Sequence, residues 1–343
     1  MVKDLLVIPI FIPQQGCPHA CIFCNQMRIS GSARLLVTPE AVRHEVRCWL
    51  VRETAHGNQH REVQVAFFGG SFTCLPTETQ QGLLAAVQPF IARGEVNSIR
   101  CSTRPDCIDS QRLAVLKQAG VSTVELGVQS MDDEVLRRAR RGHNAEDSRR
   151  AITLLKEAGF TTGVQIMPGL PGETFESFIV GVEEITKLRP DLARIYPLLV
   201  VEDSGLVSPW LLGDYQPLSL DTALDWCSIA LSFFEKADIR VIRIGLQPAT
   251  SLEASILAGP WHPAFGAMVE SRRWFYYLEN CLKSLKEGER LDVTVSHRDI
   301  SSVIGINKEN RKRLDALGYA GRYRITADRS VAKGSFYAVC KQS

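Results

Sequence analysis

Short apolar runs and helix-like stretches alternate along the first 250 residues, and this order leaves little choice of architecture. Val7–Ile12, Val63–Phe68, Ser98–Ser102, Thr123–Gly127, Thr162–Met167, Leu192–Leu198 and Arg240–Ile244 read as strands. Between them the pattern predicts helices from Pro39 to about Glu53 and over Pro76–Ala92, Ser110–Ala119, Asp132–Arg138, Ala145–Ala158, Phe175–Leu188 and Asp221–Lys236. Thr38 before Pro39 is a cap-and-first-turn signal, and Gly120 and Gly159 are stops. Strands that alternate with helices predict an α/β chain with a parallel sheet and right-handed crossovers. Six or seven such units in series suit a partial barrel, whose chemistry sits at the C-terminal strand ends. The three crowded cysteines, Gly69-Gly70, Thr103-Arg104, Gln129 and Gly169 all follow strands. They are therefore expected to face one site.

Composition narrows the class. Apolar residues make up 45% and charged residues 23% of 343, with a net charge of +2. That balance is ordinary for a globular protein and leaves nucleic-acid binding to a local patch. No apolar run approaches the roughly 20 residues of a membrane span. The N-terminal apolar stretch lacks a small-residue cleavage site and reads as a strand, not a leader. Ten cysteines then point to a reducing, cytoplasmic setting. Seven of them, Cys48, Cys74, Cys101, Cys107, Cys227, Cys281 and Cys340, are scattered and are expected to be small buried hydrophobes.

The other three form Gly16-Cys-Pro-His-Ala-Cys-Ile-Phe-Cys24, a CxxxCxxC spacing. Thiolates are soft ligands for iron–sulfur clusters or zinc. Cys17, Cys21 and Cys24 can hold three irons of a cubane and leave the fourth open to a ligand. A zinc site would need His19 to fold back sharply, and no distant CxxC or HxxxH completes it.

Further segments follow in order: Phe67-Phe-Gly-Gly-Ser-Phe-Thr73, Ser102-Thr-Arg-Pro-Asp106, Leu126-Gly-Val-Gln-Ser130, Arg141-Gly-His143, Met167-Pro-Gly-Leu-Pro171 and Arg194-Ile-Tyr-Pro197. With the cysteine loop, this set resembles the radical S-adenosylmethionine (SAM) superfamily, and within it the radical SAM domain of the catalytic subunit of Elongator. Oxygen-independent coproporphyrinogen oxidase shares a looser version. The resemblance runs from about residue 5 to 248. It implies a partial (β/α)6-type TIM barrel over 1–250, a [4Fe-4S] cluster on Cys17, Cys21 and Cys24, and SAM as cofactor. It also implies an external reductant such as flavodoxin or ferredoxin. The segment after the barrel is too short for the acetyltransferase domain of the Elongator subunit, and the cysteine spacing is tighter.

The resemblance also assigns contacts to SAM. Gly69 and Gly70 would let the backbone approach its amino group, although a tight turn needs no ligand. Gln129 would meet the ribose or carboxylate, or else brace a turn. Arg141 would pair with the carboxylate, or else belong to a solvated basic helix with Arg137, Arg138, Arg140, Arg149 and Arg150. Ser71 and Thr73 are candidates for SAM contacts or for capping the next helix. Phe23 packs near the cluster and adenine, or simply in the core. Gln165 approaches the ribose or is buried strand polarity. Ser102 stands where related enzymes often carry a carboxylate for the ribose. Arg194 and Tyr196 face the barrel mouth or its wall.

Residues 251–343 read as a connector, a helix over Ala267–Lys286 and a small basic α/β appendage. Its order over 291–339 is strand, helix, turn, helix, strand, strand, which resembles a KH module. Such modules clamp nucleic-acid backbone at a GXXG turn. Here Gly305-Ile-Asn-Lys308 ends in lysine, and Lys308, Arg311 and Lys312, with Arg313, offer charge for phosphates. A cap that only covers the barrel is the alternative. The function expected is radical modification of RNA, most simply tRNA. The competing readings are an oxidoreductase on a small molecule such as a porphyrinogen, and an iron–sulfur RNA-binding protein without turnover.

Overall fold

The computed structural model describes residues 5–26, 28, 36–55 and 62–342. They divide into two compact units, Met1–Ser219 with Phe233–Trp261, and Leu220–Ser232 with His262–Ser343. Among the described residues no helix is long and apolar enough to cross a membrane.

The first unit carries seven parallel strands: β1 (Leu5–Phe11), β2 (Glu62–Phe68), β3 (Ser98–Thr103), β4 (Val121–Gln129), β5 (Thr161–Ile166), β6 (Leu192–Ile195) and β8 (Arg240–Ile244). They pair in the order β1-β2-β3-β4-β5-β6-β8 and curl into a half-barrel. The short strand β7 (Val200–Val201) sits outside this sheet and pairs antiparallel with β9 (Ile256–Ala258). Apolar strands such as Val63–Phe68 suit a parallel sheet covered on both faces. The connecting helices start on side-chain caps. Asp109 accepts from Arg112 N, Asp132 from Glu134 N and Val135 N, and Asn144 and Thr174 form reciprocal capping boxes. The expected single helix over 76–92 is two, Thr77–Ala85 and Gln88–Ala92. Pro89 lacks the N–H that a continuous helix would need.

The half-barrel interior is polar. Arg100 on β3 donates to Gln64 Oε1 on β2 and to Glu125 Oε1 on β4, each at 2.7 Å. Arg194 on β6 grips both oxygens of Glu125, and its NH1 donates to Tyr196 Oη at 3.0 Å. Glu125 has to cross β5 to reach Arg194. It does so over Gly163, where a Cβ would lie 2.9 Å from Glu125 Cγ. Arg194 therefore faces the interior, and its guanidinium also lies 5.4 Å from the Phe68 ring centroid.

The scattered cysteines depart from expectation. Cys74 and Cys107 are joined as a disulfide with their Cα atoms 5.5 Å apart. They follow the adjacent strands β2 and β3, which brings residues 33 apart in sequence side by side. Cys101 and Cys227 are buried free thiols, but Cys48 and Cys281 are half-buried and Cys340 is exposed. The buried-hydrophobe expectation fails for Cys340, which lies on an exposed strand, and is met only in part by Cys48 and by Cys281, which packs at the edge of the second unit's core.

The second unit has a central strand β10 (Glu289–Ser296), parallel to β11 (Tyr323–Asp328) and antiparallel to β12 (Phe336–Gln342). Helix Phe265–Lys283 supplies Trp274, Phe275 and Leu278 to a core shared with Leu291, Val293 and Val303. Two short helices, Ile300–Ile304 and Glu309–Leu314, flank residues 305–308. Asn310 Nδ2 anchors that turn by donating to Ser271 O at 2.8 Å and Val303 O at 3.0 Å. Gly305 has no room for a side chain, since a Cβ would meet Asn310 N at 2.9 Å. Asn307 and Lys308 are both left-handed, at φ 52° and 63°. That conformation disfavours non-glycine residues.

Candidate functional site

The site assembles where the loops after β1, β2, β3 and β4 meet. The cysteine loop turns at Gly16, φ 74°, where a Cβ would come within 2.3 Å of Ser71 O. Gly70 is matched to it. A Cβ there would lie 2.4 Å from Gln15 O and 2.5 Å from Ile12 O, and Ser71 N donates to Gln15 O at 3.0 Å. Gly70 is small because two backbones interlock. Gly69 is different: it has φ 90° and ordinary clearance, so conformation alone calls for glycine. Gly70→Ala is expected to push the loops apart and to cost about 3 kcal/mol, the upper range for overpacking a rigid contact. Urea unfolding checks this, and an unchanged midpoint would contradict the interlock.

Cys17, Cys21 and Cys24 are free and half-buried. Cys17 Sγ lies 3.5 Å from Ser71 Oγ, and Cys24 N donates to Cys21 O at 3.1 Å. Burial, then the neighbouring Cys21 and Cys17, push the Cys24 thiol up to about 12, while Arg141 pulls it down. A thiol raised in this way is favoured as a thiolate by positive charge brought beside it. Among the described residues no three His, Cys, Asp or Glu side chains converge on a point suited to a single metal ion. A cubane distributes its thiolates over different irons.

Arg141 is buried, 6% exposed, and is not part of a solvated helix. The helix Asp133–Arg138 ends before it, and the surface arginines Arg137 and Arg138 pair with Glu134 instead. Its NH1 donates to Cys21 Sγ at 3.1 Å and its NH2 to Gly127 O at 2.6 Å. Its Nε is buried without a partner, as is Gln129 Oε1. Gln129 has φ 69°, a costly conformation for a non-glycine residue. Its Nε2 and Arg141 NH2 lie 2.9 and 3.2 Å from where a Cβ on Gly127 would be, so the two side chains converge there. An unpaired buried donor and an unpaired buried acceptor thus belong to two converging side chains, one of which touches the Cys21 thiol.

The other sequence candidates divide. Ser71 makes no side-chain cap and faces Cys17 instead. Thr73 is fully buried, and its hydroxyl meets that of Thr103 at 2.6 Å, so it neither caps nor faces a ligand. Phe23 packs in an apolar cluster with Val135, Leu170, Leu198 and Tyr215, against which Cys21 and Cys24 also rest. It supports the loop from the core side. Ser102 and Gln165 are half-buried on β3 and β5, one interior layer beyond Arg100 and Gly163. His143 Nε2 donates to Val128 O, 3.3 Å away. Burial, then Arg141 and Arg104, hold its imidazole down at about 3, so it stays neutral. His262 braces a turn, accepting from Ala264 N at 3.0 Å.

Two residues support the site: Arg104, one of the strand-end residues, and Glu173, which was not singled out from sequence. Arg104 donates to the Arg141 carbonyl and is held by Asp106 at 3.0 Å. Glu173 accepts from Gly169 N at 2.8 Å and from Ser130 Oγ at 3.2 Å, and burial raises its carboxyl to about 8. Their signals were present as the Arg-Pro-Asp after β3 and the Gly172-Glu173 pair after β5.

Known proteins match this arrangement. The chain is 26% identical over 270 residues to the tRNA uridine(34) acetyltransferase of Methanocaldococcus infernus, covering 68% of this chain and 51% of that protein. It is 28% identical over 263 residues to Elongator complex protein 3 of Dictyostelium discoideum, covering 65% and 47%. The chain spans about half the length of these curated relatives. The solved structure of the archaeal Methanocaldococcus infernus Elp3 with an N-terminal deletion shares the fold, with TM-score 0.61, 23% identity, and coverage of 83% and 65%. The profile of the Radical SAM superfamily matches residues 11–184, and that of the Radical_SAM C-terminal domain matches 190–274. Since the first profile alone accounts for just over half of the chain and for every site residue from Cys17 to Gln165, this chain belongs to the Radical SAM superfamily.

Proposed function

We propose that Cys17, Cys21 and Cys24 ligate three irons of a [4Fe-4S] cluster and that Gln129 and Arg141 receive SAM at the fourth. The observation that carries this reading is the pair of unpartnered buried atoms, Gln129 Oε1 and Arg141 Nε, on two side chains that converge at Gly127, one of which also reaches the Cys21 sulfur. Buried polar atoms without partners are costly, so a ligand bearing both a donor and an acceptor fits them. The amino-acid end of SAM is such a ligand. When bound, the cluster supplies one electron for reductive cleavage of SAM to methionine and a 5′-deoxyadenosyl radical. The protein's part is to orient and to shield. Gly127 leaves space for Gln129 and Arg141 to converge, and Ser102 and Gln165 offer hydrogen bonds to a ribose from the interior wall. Phe23 closes the apolar side of the loop. An external one-electron donor such as flavodoxin or ferredoxin completes the system.

The proposed substrate is RNA, with tRNA the natural choice from the archaeal relative, and the proposal is confined to radical chemistry. The second unit supports it through Lys308 and Lys312, which are exposed, and Arg311 beside them, which is half-buried. Arg313 is excluded, because it is already paired with Asp221 and Glu309 and lies near the Phe275 ring. Reversing charge at Lys308 and Lys312 is expected to weaken tRNA binding at moderate salt. It should lower the slope of log affinity against log salt by about 2, one per lost phosphate contact. SAM cleavage without RNA should be unchanged. Filter binding checks this. Equal binding by wild type and variant would remove these lysines from the interface, and no binding by either would favour a small-molecule substrate.

A further inference from the structure

We propose that Arg141 sets the reduction potential of the cluster on the cysteine loop by holding a charged N–H donor against the Cys21 sulfur; this rests on the cluster assignment above. The segment after helix Asp133–Arg138 docks on the cysteine loop at three points. Ile22 N donates to Ala139 O at 3.2 Å. Gly142, φ 72°, lies under His19, where a Cβ would come within 2.2 Å of the imidazole. Between them Arg141 NH1 reaches Cys21 Sγ at 3.1 Å. The guanidinium has little freedom to swing away, because NH2 is fixed on Gly127 O at 2.6 Å and Arg104 donates to the Arg141 carbonyl. Arg104 is balanced by Asp106, while among the contacts described Arg141 meets no carboxylate. One unbalanced cation is therefore held, almost fully buried, on a ligand sulfur.

The consequence follows from charge. One electron from an external low-potential donor makes the cluster and its thiolates more negative, with no bond made or broken. A fixed cation and its N–H···S contact stabilise that reduced state more than the oxidised one, which raises the potential. A buried charge is screened little by salt. Arg141 thus acts through Cys21 on the ease of reduction, apart from any contact with SAM. An arginine that only clamped the loop would change how much cluster is bound and leave its potential alone.

The test uses the full chain, reconstituted anaerobically, without SAM. Wild type, Arg141→Lys and Arg141→Met are titrated against a series of ambient potentials, with the reduced cluster counted by electron paramagnetic resonance and iron counted per chain. The expected order of potentials is wild type, then Lys, then Met as the most negative. In Arg141→Met the ratio of reduced to oxidised cluster at fixed ambient potential should fall about tenfold, or about 59 mV for one electron. Equal potentials in wild type and Arg141→Met would overturn the proposal even if cluster content fell. If Arg141→Met takes up no iron, Arg141→Lys decides: a potential below wild type supports the proposal and an equal one overturns it. A wild type without a four-iron cluster would overturn the cluster assignment itself, an outcome read from iron content before any potential is measured.

Discussion

Replacing any one of Cys17, Cys21 or Cys24 with alanine is expected to abolish the four-iron cluster while the chain still folds. Each removal leaves another iron without a protein ligand, and no neighbouring group takes its place. Ser71 Oγ, 3.5 Å from Cys17 Sγ, is a hard and weakly basic hydroxyl, and His19 is exposed and packed over Gly142. The fold does not depend on the thiols in the same way. The loop is held by Gly16 against Ser71, by Gln15 O and by Ala139 O, all backbone contacts. Iron and sulfide analysis with the absorption spectrum checks the first half, and circular dichroism checks the second. Cys107→Ser and Cys340→Ser are the controls. Cys107 sits in the bridge to Cys74, so its loss should lower stability and leave iron content intact. A full cluster in any of the three alanine variants would show that the ligands are misassigned.

Glu125→Ala is expected to be the most destabilising substitution in the half-barrel, by about 3–5 kcal/mol. Glu125 is 4% exposed and takes both Arg100 and Arg194, so truncation leaves two cations in the interior with one carboxylate fewer. Gln64 and Tyr196 still satisfy one N–H group on each arginine, but neither supplies charge. Glu125→Gln keeps an acceptor and should cost less than the alanine. Urea unfolding of both variants gives the comparison. A cost below 1 kcal/mol for the alanine would mean that water reaches the arginines, and that the interior is open at this layer.

The strand series was legible in sequence because each parallel strand is apolar and is followed by unusual residues. What joins the strands laterally was not. Glu125 and Arg194 are 69 residues apart, and their contact depends on a glycine in the strand between them. Likewise, the Cys74–Cys107 bridge arises because β2 and β3 are neighbours, and no local spacing announces it. The cysteine loop was legible because its three cysteines lie within eight residues. Gly70 was singled out for a ligand approach, and what the structure adds is that the neighbouring backbone leaves no room for a side chain there. Arg141 stood in an arginine-rich stretch where composition favours a solvated face. Only the end of the helix at Arg138 turns it inward while its neighbours pair with Glu134. Ser71 shows the same limit: a hydroxyl before a helix reads as a cap, and its actual neighbour is a thiol from another loop.

Whether this site holds a cluster that cleaves SAM is read from the products of the reduced protein. The purified chain is reconstituted anaerobically with iron and sulfide, reduced with dithionite, given SAM, and sampled for 5′-deoxyadenosine and methionine. A brown protein with one four-iron cluster per chain is expected to form both products over time, and the Cys21→Ala variant to form neither under the same conditions. A colourless protein carrying stoichiometric zinc, or a fully loaded cluster that yields no 5′-deoxyadenosine, would contradict the assignment of a SAM-cleaving cluster.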